Sequence, residues 1–474
     1  MLKNSPHDKK TLDYLFPARA VAIIGVSTNP KKQLSGTEFM KALLGMGYQG
    51  KIYPVNPTGG EILGRKIYTS VREIPGAVDY AISAIPAKHN LQLLQDCDAK
   101  GVKVLHVYSA GFSEIANPEG RKLEEKLSAL SRQTGVRVIG PNCMGIYSPG
   151  YGLSFRRDLP VESGSVGFIS QSGSNSFQII RDGSAKGIYL NKLFSYGNAA
   201  DLNECDFLEF LARDRETKVI AGYLEGVKDG PLFQKTLTRV TKQKPVVIYK
   251  AGNTSKGIQA VASHTGTMAG SEMVWRAALR QSGALQVNSM EELVDLLSLF
   301  NYMKPPKGIN TALIGIGGGV IVQATDECAR GGLKLPTLPL EIRNKLEKAY
   351  TTEAGGSFRN PVDLYIGKGE LIQSTIKMIA DLKQIDLLMI QIMFGFGNRD
   401  ESSMLTPYID ALINLGKGLN HRAAIVFRPT GTFRFSKYTA EAHQALVAAG
   451  YPIFDSAQRA AMSITKYYNY FQKK

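Results

Sequence analysis

The sequence predicts an α/β protein built from three consecutive doubly wound units. A Rossmann-like domain is expected over residues 1–150, a flavodoxin-like domain over 151–304 and a second flavodoxin-like domain over 305–474. Three observations carry this expectation. Short β-branched runs alternate with stretches of helical spacing, the pattern of a parallel sheet covered on both faces. Glycine is over-used, at 48 of 474 residues, which suits the tight strand-to-helix turns of such folds. The length also matches about three domains of roughly 150 residues.

The first block opens with the strand VAIIGV (21–26), a polar loop STNPKKQLSG (27–36) and a helix whose Phe39, Leu43 and Leu44 recur at helical spacing. The strands KIYPV (51–55), DYAISAIP (79–86), KVLHVYS (103–109) and VRVIG (136–140) follow. The second block begins GSVGFISQSGSNS (164–176) and continues through KVIAGYL (218–224), KPVVIYKAG (244–252) and the helical SMEELVDLLSLF (289–300). NYMKPPKGIN (301–310), with two prolines, reads as a linker. The third block starts TALIGIGGGVIV (311–322) and repeats the rhythm through LLMIQIM, AAIVF and YPIFD. The order of strands within each doubly wound sheet is left open by the sequence.

Composition narrows the function classes. No apolar run reaches the roughly 18 residues that cross a membrane, and the start MLKNSPHDKK lacks an apolar secretory core. Four scattered cysteines without a CxxC pair argue against a disulfide framework or a metal site, and a cytoplasmic protein is expected. Lys and Arg outnumber Asp and Glu by 57 to 41, a net +16 that favours anionic ligands or equally describes a solvated basic surface. No motif turns that charge into groove reading, so neither nucleic acid nor a membrane is an expected partner.

The first strand–loop–helix invites a dinucleotide reading that its details resist. GxGxxG is absent, Gly25 and Gly36 being separated by a basic insert, and Asn56 and Pro57 stand where an acid would grip a ribose hydroxyl. The loop can still aim backbone amides at a phosphate. Lys31 and Lys32 would add charge suited to a heavily phosphorylated nucleotide, or are simply exposed turn residues.

Two further stretches point to phosphate chemistry. In SQSGSNS, Ser172, Gly173 and Ser174 fall at a helix start, where amides and hydroxyls favour an anion; an ordinary serine cap would account for one of the three. In ASHTGTMAGS (262–271), His264 sits among small and hydroxylated residues where no apolar face can pack around it. A neutral imidazole there is a candidate nucleophile toward phosphorus, with a surface loop or a substrate ligand as the other readings. Its second ring nitrogen needs an acceptor, and Glu225, at the end of KVIAGYLEG, is the best candidate.

Taken in order, AIIGVS with IYPVNP, SAGFSE (109–114), GPNCMG (140–145), SQSG (170–173), SYGNAADLNECDFLEFLARD (195–214), YLEG (223–226), SHTGTMAGS, FRNPVDL (358–364) and YPIFDSAQRAA give the chain a family likeness over nearly its whole length. It resembles the alpha subunits of ADP-forming acetate–CoA ligases, in the NDP-forming acyl-CoA synthetase superfamily that includes succinyl-CoA ligase. The resemblance implies a CoA-binding first domain and a reaction through an acyl phosphate and a phosphohistidine. It implies His264 as phosphoryl carrier, Glu225 as its orienting carboxylate, and Ser172, Gly173 and Ser174 as half of a phosphate cradle. It places Ser27, Lys31, Lys32, Asn56 and Ser109, Ala110 and Gly111 in the CoA-binding loops with Gly25, Gly36 and Pro57, and Asn142 and Cys143 near the CoA thiol. CoA, phosphate and a small carboxylic acid or acyl-CoA are the implied ligands. Because no ATP-grasp pattern is found, ATP/ADP with Mg2+ is expected on a separate ATP-grasp beta subunit, in an α2β2-type heteromer. IGIGGGV (314–320) and MFGFGNRD (393–400) depart from the family's third-domain pattern. Two other readings compete: a CoA- or nucleotide-binding sensor or scaffold that has lost ligase chemistry, which the intact His264 and Glu225 disfavour, and an NAD-dependent oxidoreductase, which the missing glycine spacing and acid disfavour.

Overall fold

The computed structural model describes residues 11–29, 36–265, 271–315, 317–350, 358–364, 369–394, 401–419, 422–429 and 437–473. They divide into two compact units, Met1–Arg181 with Tyr189–Met290, and Asp182–Ile188 with Glu291–Lys474.

The first unit holds two sheets. In the first, β1 (Ala20–Ile24) pairs in parallel with β2 (Lys51–Val55), while β3 (Gly60–Ile62) and β4 (Arg65–Ile67) form a separate hairpin. Then β5 (Tyr80–Ser83), β6 (Val104–Val107) and β7 (Arg137–Ile139) extend it in the order β2-β1-β5-β6-β7. All five β1 residues are buried, as continuous apolar runs demand when helices cover both faces. The covering helices are α1 (Gly36–Gly45), α2 (Asn90–Lys100) and α3 (Pro118–Thr134). Helix α3 shows why its sequence is helical: Asn117 caps Gly120 N–H, Pro118 occupies the first turn, and Gly135 closes the end in the left-handed region. Leu94, Leu105, Phe112, Leu127 and Val138 meet in one of this domain's cores.

The second sheet has the order β13-β12-β11-β9-β10-β8. It contains β8 (Gly145–Tyr147), β9 (Val166–Ser170), β10 (Leu190–Ser195), β11 (Val219–Leu224), β12 (Val246–Lys250) and β13 (Leu285–Val287), with β8 antiparallel to β10. Its helices are α4 (Gly173–Ala185), α5 (Glu204–Arg213), α6 (Gly230–Thr241), α7 (Ser255–Thr265) and α8 (Glu272–Ser282).

The second unit carries α9 (Met290–Tyr302) beyond its first residue, so that helix takes up the first two residues of the expected linker. Its sheet, β15-β14-β16-β17-β18, comprises β14 (Thr311–Gly315), β15 (Val362–Asp363), β16 (Leu387–Phe394), β17 (Ala423–Pro429) and β18 (Ile453–Phe454). Helices α10 (Gly318–Arg330) through α15 (Ala457–Gln472) surround it. Its departing glycine turn places Gly317 at φ +100°, with its N–H donating to Asp363 Oδ1 at 3.0 Å. The expected MFGFGNRD departure lies, beyond Phe394, outside the described residues.

Each sheet therefore has its parallel strands, counted along the chain, in the order 2-1-3-4-5. The chain turns back across the first strand each time, which opens a crevice at the carboxyl ends of β1, β9 and β14. Among the described residues no helix is long and apolar enough to cross a membrane.

Candidate functional site

The crevice of the first sheet is shaped by backbone. Gly25, at φ +96°, lies where an added Cβ would stand 2.5 Å from the Ala84 carbonyl oxygen. Gly36 opens α1, and a Cβ there would meet Gly25 O at 2.5 Å. The two glycines, which the sequence sets apart, are thus in contact, and the start of α1 rests directly on the strand end. Ser27 N–H and Ser27 O both engage the Thr37 hydroxyl, at 3.0 and 3.1 Å. Asn56 donates to Val26 O at 2.6 Å and accepts from Thr58 N–H at 3.0 Å, so its amide braces the loop, with Pro57 exposed beside it. Lys31 and Lys32 lie outside the described residues.

At the ends of β6 and β7 the SAG and GPNC segments meet. Asn142 N–H donates to Ser109 O at 3.1 Å, and the Ser109 hydroxyl accepts from Asn90 at 3.3 Å. Ala110 is exposed, and Gly111, at φ +111°, gives its N–H to Glu114 Oε1. Asn142 sits at φ +58° after a cis Gly140–Pro141 bond. Cys143 is buried, its sulfur 3.8 Å from Val107 O, and burial pushes its thiol up, away from a reactive thiolate.

The second crevice is formed by the ends of β9, β10, β11 and β12. Ser172 is buried and its hydroxyl accepts Asn175 N–H at 3.3 Å; it is the serine cap of α4. The amides of Gly173 and Ser174 occupy the first helical turn, where no intrahelical acceptor exists, and Ser174 is exposed. Of the three residues expected to cradle an anion, one hydroxyl is therefore spent on capping, and two amides remain at the positive end of α4. One strand over, Glu225 is 4% exposed and accepts from the Tyr223 hydroxyl at 3.2 Å. Gln171 ties the two together: its side-chain carbonyl accepts Glu225 N–H and Gly226 N–H, and its amide donates to Gly226 O at 2.9 Å.

Three more buried groups belong to this side of the crevice, Lys250 and Tyr196 felt by Glu225 and Glu204 felt by Tyr196. Lys250 ends β12, and burial pushes its ammonium down to about 8 while Glu225 pulls it back up. The Tyr196 hydroxyl is fully buried without a hydrogen-bond partner among the described residues; burial and then Glu204 push its ionisation far up. Glu204, buried at the start of α5, is pushed up to about 7, chiefly by burial.

His264 falls in the last turn of α7, so its backbone is helical where the small and hydroxylated neighbours suggested a loop. The upstream run KGIQAVA supplies the helical spacing that carries α7 through to Thr265. Its side chain lies outside the described residues, as do residues 266–270. The short 3₁₀ turn Ser113–Ile115 of the first domain packs against α7. Asn198, from the connection after β10, donates to Glu114 Oε2 and Glu124 Oε2, at 2.5 and 2.9 Å, which joins the SAG loop to the second crevice.

Comparisons with known proteins agree with this geometry. A model described as a CoA binding domain matches residues 19–149, and a succinyl-CoA ligase like flavodoxin domain matches residues 163–300. The chain is 40% identical to an acetate–CoA ligase [ADP-forming] II subunit alpha of Pyrococcus furiosus, covering 80% of this chain and 81% of that one. It is 41% identical to the corresponding I subunit alpha of the same organism, over 75% and 76% of the two chains.

The chain belongs to the family of ADP-forming acetate–CoA ligase alpha subunits.

A solved acetyl-coenzyme A synthetase of Ca. Korarchaeum cryptofilum, described as dinucleotide forming and held with phosphate and ADP, superposes with a TM-score of 0.83 at 30% identity over 97% of each chain. For this acetate–CoA ligase family member, sequence reasoning had selected Ser172, Gly173 and Glu225, and the fold brings them to neighbouring strand ends. It had missed Gln171, Tyr196, Asn198, Glu204 and Lys250. Their types give no local signal; only the pairing of β9, β10, β11 and β12 sets them around Glu225.

Proposed function

We propose that this chain is the CoA-binding, histidine-phosphorylated alpha subunit of an ADP-forming acyl-CoA synthetase. The division at residues 150 and 304 belongs to the same reading: a CoA-binding domain, a ligase domain with the phosphohistidine segment, and a second ligase domain. The observation that carries it is the Gln171 clamp, which holds Glu225 against a helix start offering two amides.

At the contact between Gly25 and Gly36 neither residue has a side chain, which lets backbone approach closely and fits the phosphates of CoA at the start of α1. Lys31 and Lys32 would meet those phosphates, and Ser27, Asn56 and Pro57 shape the adjoining wall. Ser109 to Gly111, with Asn142 and Cys143, would line the path of the pantetheine arm, Cys143 as packing and not as nucleophile.

In the reaction, an oxygen of inorganic phosphate attacks the thioester carbonyl of an acyl-CoA. The carbon–sulfur bond breaks, and the CoA thiolate leaves and takes up the phosphate proton. One imidazole nitrogen of His264 then attacks the phosphorus of the acyl phosphate; the bond from phosphorus to the acyl oxygen breaks and a carboxylate departs. Glu225 accepts the N–H of the other ring nitrogen and stabilises the positive charge that develops on the ring. Gly173 and Ser174 N–H groups, with the dipole of α4, hold the phosphoryl oxygens. The phosphoryl group passes to ADP with Mg2+ on an ATP-grasp beta subunit, the two chains forming an α2β2-type heteromer. A cytoplasmic location goes with this reading, supported by four free, buried cysteines.

The test is to mix the chain with its beta subunit and radiolabelled Mg-ATP. An acid-labile, base-stable label on this chain is expected, and it should vanish in His264→Ala. Label that persists on that variant would show the carrier to be another residue.

A further inference from the structure

Glu114 follows the SAG loop and is half-buried in the 3₁₀ turn Ser113–Ile115. Its Oε1 accepts Gly111 N–H at 2.5 Å and Phe112 N–H at 3.1 Å, which folds the loop back on its own carboxylate. Its Oε2 accepts the side-chain amide of Asn198 at 2.5 Å, from the connection after β10 in the second domain. The same amide nitrogen donates to Glu124 Oε2 at 2.9 Å and to the Ser113 hydroxyl at 3.3 Å. On its other side, Asn198 Oδ1 accepts from the side-chain amide of Asn142 at 3.4 Å. One buried asparagine therefore holds both first-domain loops assigned above to the pantetheine path, SAG through Glu114 and GPNC through Asn142.

This arrangement carries a cost. Two carboxylates converge on one amide nitrogen, and like charges so placed repel each other. Lys228 answers Glu124 at 3.5 Å, whereas Glu114 makes no ion pair among the described residues. The two domains are already joined by the largely buried Arg137–Asp201 pair, so adhesion alone does not call for the contact. What Glu114 adds is register. Its turn is backed by α3, where a Cβ on Gly120 would stand 2.2 Å from Phe112 O, and it packs against α7, whose last turn holds His264. The loop that would carry the acyl-CoA and the helix of the phosphoryl carrier thus meet at the same short turn.

We propose that Glu114 is a positioning residue for the acyl-CoA half of the reaction. It fixes the SAG loop through two backbone amides and sets that loop on the second domain through Asn198. A thioester lying along the pantetheine path is thereby aimed at the crevice that holds Ser172 and Glu225. Glu114 acts through the loop and Asn198 and touches neither thioester nor phosphate. The inference rests on the function proposed above, and it adds the residue that brings the two domains into register.

The test uses the full chain assembled with its beta subunit and times label arriving on His264 from two donors. Acetyl-CoA with radiolabelled inorganic phosphate, without nucleotide, needs both domains in register. Radiolabelled Mg-ATP, without CoA, does not need the pantetheine path. Glu114→Gln keeps a carbonyl oxygen for Gly111 and Phe112 but turns a donor toward Asn198, which cannot turn over to meet it because Glu124 takes the same nitrogen. The saturated rate from acetyl-CoA should fall about tenfold or more, while the KM for acetyl-CoA and the rate from Mg-ATP stay within about threefold of the parent. Glu114→Ala also releases the two loop amides and should add a rise of about fivefold in that KM. Asn198→Ala should lower the same rate, and combining it with Glu114→Gln should cost little beyond the larger single loss, since both break one hydrogen bond. Equal slowing from both donors in Glu114→Gln, or full additivity with Asn198→Ala, overturns the proposal. A parent His264 that takes no label from acetyl-CoA and phosphate instead overturns the functional reading, and this one with it.

Discussion

Gln171 grips Gly226 on both sides of its peptide, donating to the carbonyl at 2.9 Å and accepting from the amide at 3.1 Å. One side chain thereby imitates a rung of sheet pairing just where β9 and β11 have run out of strand. The same oxygen also takes Glu225 N–H, so the backbone carrying that buried carboxylate is set by the residue that precedes the cap of α4. The start of α4 and the backbone of Glu225 are thereby tied together, and on the function proposed above the geometry of phosphoryl transfer depends on that tie.

Replacing Gln171 by leucine removes that piece without touching a reacting group. The amides of Glu225 and Gly226 would be buried unpaired, at about 1–3 kcal/mol for each unsatisfied group. A lower melting temperature and a fall of about 100-fold in the rate of His264 labelling are expected, since displacement by an ångström costs that much in positioned chemistry. Rapid-quench labelling of the assembled complex checks it; labelling at the parental rate would mean the clamp does nothing for the site.

The connection after β10 makes a second prediction. Gly197, at φ +51°, is so close to the GPNC turn that an added Cβ would stand 2.3 Å from both Pro141 O and Asn142 O. These are backbone atoms, Pro141 O being held by Asn198 N–H at 3.0 Å, and they have little room to give. Gly197→Ala should push the first domain's GPNC turn away from the ligase crevice. CoA affinity measured by calorimetry should fall modestly, because the turn lines only the pantetheine path while the phosphates rest at the Gly25–Gly36 crevice, and acyl phosphate formation from acyl-CoA and phosphate should drop much further. Equal loss of both would place the effect in the fold at large.

Much of the architecture was legible because it rests on local pattern. A strand covered on both faces must be apolar throughout, and AVAII, VIAGYL and TALIG are buried along their length. Glu225 was legible as the first acid after such a strand. What escaped depended on which strands are neighbours. Gln171 reads as a spacer between two serines until β9 and β11 are adjacent. Lys250 reads as a solvated strand end until Trp275 of α8 is laid over it. Gly25 and Gly36 read as unrelated because no fixed spacing marks their contact. His264 was drawn toward a loop by its glycine and hydroxyl neighbours, whereas the apolar spacing before it extends α7 through the residue.

Asp201 supplies a third prediction, on stability alone. It receives Arg137 through both Nε and a terminal nitrogen, at 2.9 and 3.1 Å, along with Val138 N–H at 2.8 Å and the Ser131 hydroxyl at 3.0 Å. The pair is largely buried and spans the two domains of the first unit. Arg137→Met leaves this carboxylate without its cation and should destabilise the unit by about 3 kcal/mol or more. Asp201→Asn should cost less, because the amide can still accept the Val138 N–H. Urea unfolding of the two variants gives the order, and the reverse order would contradict the assignment of Arg137 as the main partner.

His106 carries the last prediction, a pH dependence. It is fully buried on β6, stacked on Tyr80 and edge-on to Phe39, and its Nε2 lies 3.0 Å from Cys143 O. A carbonyl can only accept, so Nε2 carries the hydrogen; Nδ1 meets no partner among the described residues. Burial, opposed by that hydrogen bond, pushes the ring's proton affinity down from 6.5 to about 4. The folded ring therefore stays neutral while the unfolded ring takes a proton. Stability from this source is complete above pH 6.5, declines as the pH falls from there to about 4, and is level below. The interval corresponds to about 3 kcal/mol. His106→Gln should be less stable than the parent at neutral pH, through the lost ring packing, yet lose less stability on acidification, so the two unfolding curves should converge between pH 7 and 4.5. Parallel pH dependences would show that the buried ring does not set the acid sensitivity of the turn that holds Asn142.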